Sequence, residues 1–160
     1  MAAISSVALR SATAHKLRGF IPSFADQAPH QPLFDTLTAT ADDLQKELIK
    51  GTIKSTQIVE EYHRSILAHN GVLNAVYELA SGAMQRAKEM DELRASGKFL
   101  GPFHGIPILV KDNMNIDRAI GLGTTAGALA LEDAIPSSSA TIVKRLLAAG
   151  VVILGKATMS

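Results

Sequence analysis

Apolar positions recur at helical spacing in three stretches of the first hundred residues, then give way to short continuous apolar runs. Leu44 and Leu48 share one face of a helix that begins at Thr40, where Thr40 and Asp43 have capping-box spacing, and that stops at Gly51. Ile58, Tyr62 and Ile66, with Val59 beside them, form the stripe of a second helix starting near Ser55 or Thr56. His69, Asn70 and Gly71 are read as its end. Residues 74–79 fit a short strand. A third helix follows Ser81, with Ala83, Ala87 and Met90 inward and Gly97 closing it.

After Leu100 the pattern changes. Gly101, Pro102, Gly105 and Pro107 crowd a tight loop ahead of Ile108, Leu109 and Val110, a run that predicts a strand buried on both faces. A glycine- and threonine-rich loop spans Gly121 to Gly127. The serines 137–139 precede a helix from about Ala140 to Ala149, whose Ile142, Val143, Leu146 and Leu147 form the inner face. Gly150 suits a left-handed cap, and Val151 to Leu154 predict another buried strand. Helices followed by strand–helix–strand units indicate an α/β fold with a partly parallel sheet.

Ahead of these elements, residues 1–33 read as a flexible leader, with Pro22, Pro29 and Pro32 in an extended connector. Arg10, Lys16 and Arg18, with no acid before residue 25 and several serines, also fit a mitochondrial transit peptide. The cytoplasm is the expected compartment and the mitochondrion the alternative. A content of 47% hydrophobic and 19% charged residues is that of a globular chain. The net charge of +1 gives no reason to expect a nucleic acid or an acidic membrane as partner. No apolar run is long enough to span a bilayer. Without cysteine, thiolate metal sites, disulfides and a cysteine nucleophile are excluded within these residues.

Lys111 is the residue most suggestive of chemistry. It follows three apolar residues and stands at the C-terminal end of a predicted strand, where open α/β sheets place ligands. Desolvation disfavours an ammonium and can leave an amine able to accept a proton; the plainer alternative is a solvated lysine paired with Asp112 or another carboxylate. Ser137, Ser138 and Ser139 invite a nucleophile reading, but they lack a neighbouring glycine and suit the capping of the next helix. Gly150-x-x-x-x-Gly155-Lys156 has P-loop spacing, yet Val151 to Leu154 favour a strand and Ala157 stands where a hydroxyl should hold magnesium. The histidines show no zinc-helix spacing, so neither a metal nor a cofactor is expected. His104 could line a pocket, but a histidine in such a loop more often bonds backbone.

Together these segments carry a resemblance. Residues 101–113, GPFHGIPILVKDN, resemble the LHGIPILVKDN segment of amidase-signature enzymes. Residues 124–131, TTAGALAL, are similar to the TTAGSLAL segment of that family, and residues 140–160 to its VVKRLRAAGAVILGKTNMS. Ser55 to Ile66 and residues 94–98 fit the helical leader, especially of fungal-type members. The resemblance spans about residues 34–160, read as the N-terminal part of an α/β/α domain built around a mixed sheet. It implies that Lys111 is the general base of a lysine–serine–serine mechanism that hydrolyses a small carboxylic amide through an acyl-serine. The two serines belong to a GGSSGG-type segment with no counterpart in these residues. The chain is therefore expected to be truncated and inactive alone. The alternative is a noncatalytic module that pairs with a full-length relative, or self-associates, through exposed apolar surface. Ala128 and Thr158 depart from the serine and asparagine usual in the family.

Overall fold

The computed structural model describes residues 30–159. The transit-like residues and most of the expected leader, which precede His30, lie outside this range. Helix α1 (Ala41–Lys50) starts as its sequence predicts: Thr40 Oγ1 accepts from the Asp43 N–H, and the Asp43 carboxylate accepts from the Thr40 N–H. It ends at Gly51, whose φ of 73° only glycine adopts at no cost.

Helix α2 (Ser55–Leu73) runs past the expected stop at Asn70. Buried Asn70 turns its amide onto Val76, six residues on, donating to the carbonyl and accepting from the N–H, each at 2.8 Å. It thereby joins the helix to strand β1 (Val76–Leu79), and Asn74 takes the left-handed cap. Lys54 offers no side-chain cap to the first backbone donors of α2. Asp91 of helix α3 (Ala83–Ala95) supplies one from across the fold, accepting from Ser55 N at 2.7 Å and Thr56 N at 3.1 Å. As expected, Ala83, Ala87 and Met90 are the buried face of α3.

Strand β2 (Pro107–Lys111), helix α4 (Thr141–Ala148) and strand β3 (Val152–Ala157) complete the fold. The sheet is mixed and ordered β1-β3-β2: β3 is antiparallel to β1 and parallel to β2. Helices α2 and α3 pack on each other and against the sheet, and Val59, Met90, Val110, Val143 and Val152 share one core. A smaller core joins Leu44, Leu48 and Ile58 to Ile106.

Three expectations need correction. Strand β2 is not buried on both faces: Val110 is interior, but Leu109 is 39% exposed. The helices of the described residues pack on the Val110 side of the strand, and Leu109 points to the other side. Ile142, assigned to the inner face of α4, is exposed, and Val143 alone of that helix is fully buried. Strand β3 also reaches beyond Leu154 through Gly155 and Lys156. Gly155 has a packing reason there, because a Cβ would lie 2.3 Å from the Glu78 carbonyl oxygen of β1.

Candidate active site

The C-terminal ends of the parallel pair β2 and β3 lie side by side, with Val110 opposite Lys156 and Lys111 opposite Ala157. Alternation along β2 puts Val110 on the core side and Lys111, with Leu109, on the other face. Lys111 is half-buried, and its carbonyl accepts from the Met114 N–H at 3.0 Å, closing a turn directly after the strand.

Asp112 points into the protein. Its carboxylate accepts from the Thr125 N–H at 3.2 Å, the Gly127 N–H at 3.2 Å and the Thr125 hydroxyl. These donors come from the glycine- and threonine-rich loop, which bends around the carboxylate because Ala126 and Gly127 both have positive φ, 50° and 75°. Two backbone N–H groups and a hydroxyl thus converge on one anion. Here the anion is the protein's own side chain.

Lys156 lies beneath the same turn. It is fully buried and donates to the Met114 carbonyl at 2.6 Å and the Thr124 hydroxyl at 3.0 Å, with the Asp112 carboxylate at 3.8 Å. Burial lowers its proton affinity, opposed by the nearby charges of Asp112 and Glu78. Glu78 in turn accepts from the Gly123 N–H at 3.0 Å. Thus residues of β1, β2, β3 and the 121–127 loop meet in one polar network at this end of the sheet. The sequence singled out Lys156 only through P-loop spacing. That stretch is a strand, and its lysine faces inward.

The remaining candidates lie elsewhere or act structurally. Ser137 and Ser138 are exposed, while buried Ser139 accepts from the Asp117 N–H at 2.8 Å. None of the three caps α4, whose N-cap Ala140 receives no side-chain bond, so the capping expectation is corrected: a loop donor 22 residues away holds Ser139 instead. His104 is fully buried and bonds backbone, its Nε2 to the Met90 carbonyl at 2.9 Å and its Nδ1 to the Leu100 N–H at 3.3 Å. His63 is buried in α2, where desolvation pushes its pKa down to about 4. His69 bonds the Ser65 carbonyl on the exposed part of the same helix. Among the described residues no grouping of three histidines or carboxylates could hold a metal ion.

A family model described as Amidase matches residues 57–160. An amidase-family protein of Schizosaccharomyces pombe is 40% identical over 122 residues, covering 76% of this chain and 21% of that protein. A second amidase-family protein, from Arabidopsis thaliana, is 35% identical over 139 residues, 85% of this chain and 27% of its own length. Among solved structures, peptide amidase from Stenotrophomonas maltophilia superposes with a TM-score of 0.72 and 38% identity, covering 79% of this chain and 26% of that enzyme. The chain spans about a quarter of the length of the relatives it matches.

Proposed function

This chain belongs to the amidase family, and from that premise we propose that Lys111 is the proton acceptor of an amide-hydrolysing site completed by serines outside these residues. The observation that carries the reading is the position of Lys111. It ends a strand of the parallel pair, on the face turned away from the helical core, and the next residue, Asp112, is hydrogen-bonded to the 121–127 loop.

In the proposed reaction a nucleophilic serine attacks the carbonyl carbon of a small carboxylic amide. Its proton passes through a bridging serine to Lys111. The tetrahedral intermediate then collapses, the C–N bond breaks, and the nitrogen leaves with a proton returned along the same path. Water hydrolyses the acyl-serine ester and releases the acid. This cycle requires Lys111 to be uncharged at its start and charged in its middle. No residue of these 160 matches the paired serines, so the chain by itself is expected to show no serine-dependent turnover. A covalent adduct of the 160-residue chain with a fluorophosphonate probe would contradict that expectation.

The test of Lys111 is a transplant. Residues 57–160 replace the matched segment of the Stenotrophomonas maltophilia peptide amidase, and hydrolysis of a peptide amide is followed with and without Lys111→Ala. The expected result is turnover in the transplant and a loss of roughly 10²–10⁴ in kcat on substitution. Equal rates would remove Lys111 from the mechanism.

A second reading has its own observation. The outer edge of β2 has no strand beside it among the described residues, and Phe99, Phe103, Leu109 and Leu129 are exposed. Unpaired backbone groups and apolar surface favour association, so the chain could serve as a noncatalytic partner of a longer relative or of itself. Sedimentation of the 160-residue chain as a monomer at micromolar concentration would count against self-association. Among the described residues no helix is long and apolar enough to cross a membrane. We assign the protein to the cytoplasm, with the mitochondrion as alternative; imaging a C-terminally tagged chain with and without residues 1–29 decides between them.

A further inference from the structure

On the other face of the sheet from Lys111 lies a second lysine for which the amide chemistry has no use. The parallel register sets Lys156 opposite Val110, so the two amines leave neighbouring strands on opposite faces. Lys156 is 0% exposed and Asp112 2% exposed. Besides the Thr124 hydroxyl, which accepts from Lys156 at 3.0 Å, its contacts fall on the turn that follows Lys111. Lys156 Nζ donates to the Met114 carbonyl at 2.6 Å, and the Met114 N–H donates to the Lys111 carbonyl at 3.0 Å. Asp112, the residue after Lys111, faces Lys156 Nζ at 3.8 Å and donates its own N–H to the Ala157 carbonyl at 3.1 Å. Two routes thus join Lys156 to the Lys111 segment, one through Met114 and one through Asp112.

Burying an ammonium is unfavourable, and an apolar side chain of similar volume would fill the same space without that cost. A cation here must therefore do something packing does not. It holds a carbonyl and a carboxylate at once, which no apolar residue can. We propose that Lys156 is a positioning residue: through Asp112 and the Met114 carbonyl it fixes the Lys111–Met114 turn, and with it the direction in which the Lys111 side chain leaves the strand. The inference rests on the reading of Lys111 given above and assigns its support to a buried ion pair that touches no substrate.

The 160-residue chain is prepared unchanged and as Lys156→Met, Asp112→Asn and the exposed control Lys144→Met. Two quantities are followed: hydrogen exchange at the Met114 amide, and acetylation of Lys111 by an N-hydroxysuccinimide ester between about pH 6 and 9, normalised to exposed Lys98. In Lys156→Met, with circular dichroism unchanged, Met114 exchange should rise at least about tenfold. The normalised Lys111 rate should change at least about threefold, with an altered pH profile. Lys144→Met should change neither. If Lys156→Met fails to fold, Asp112→Asn is read in the same way, since it keeps the side-chain volume and the bond from Lys156 to Met114. An unchanged Lys111 profile in the folded variant overturns the proposal. So does collapse of both variants, which would make Lys156 a folding residue only. Because acetylation needs no turnover, this outcome is separate from failure of Lys111 in the transplant.

Discussion

His63 gives the pH dependence of this fold a calculable component. Its side chain is buried in α2, and desolvation lowers its pKa from 6.5 to about 4. The neutral ring is therefore favoured in the folded protein, while the unfolded chain binds a proton near the ordinary value. Between those two values the unfolded state holds more protons, so stability rises with pH. The contribution is fully present above pH 6.5 and is lost as pH falls toward 4. At about 1.4 kcal/mol for each tenfold change in proton affinity, the drop from 6.5 to about 4 corresponds to ~3 kcal/mol. That is a large part of the roughly 5–15 kcal/mol of stability of a typical domain. The perturbation is His63→Gln, which cannot titrate in this range and keeps a polar side chain of similar length. Urea unfolding followed by circular dichroism at about pH 7, 5.5 and 4 gives the free energies. The two proteins share every other side chain, so the difference between the two curves isolates His63. The unmodified chain should lose ~3 kcal/mol more than the variant between about pH 7 and pH 4. Parallel curves would refute the reasoning and show that the His63 ring reaches water.

Further consequences follow from single contacts. Gly155→Ala should destabilise the chain by ~3 kcal/mol or prevent folding, because its Cβ meets the Glu78 backbone and forces β1 from β3; a urea midpoint within error of the parent would contradict this. Asp91→Ala removes both acceptors at the start of α2 and should cost ~1–2 kcal/mol, with faster amide exchange at Ser55 and Thr56. Asn70→Leu strands the buried N–H and carbonyl of Val76 and should cost ~2–4 kcal/mol, read as a lowered melting temperature.

What the sequence made legible was chiefly local. The Thr40–Asp43 capping box, the Gly51 stop and the inward face of α3 depend on residues within one or two turns, and each forms as its pattern predicts. Lys111 at a strand end was visible for a similar reason, since three apolar residues lead directly to it. The failures share a different cause. Asn70 looked like a helix terminator because its partner, Val76, belongs to the following strand. Ser139 looked like a cap, but its donor is 22 residues upstream. Both-sided burial of β2 could not be judged without knowing which face of the sheet the helices cover. Lys156 was hardest to read. A lysine ordinarily marks surface, and its burial is made possible by Met114, Thr124 and Asp112, groups 32 to 44 positions away.

The central claim is that Lys111 moves a proton rather than merely holding the site together. Chemical rescue tests it most directly. Turnover of the Lys111→Ala transplant is measured with increasing concentrations of small primary amines of graded basicity. A proton acceptor can be replaced in part from solution, so the rate should climb with amine concentration and follow amine basicity. Activity that stays flat across all amines, in a folded transplant that is active with Lys111 intact, would contradict the account.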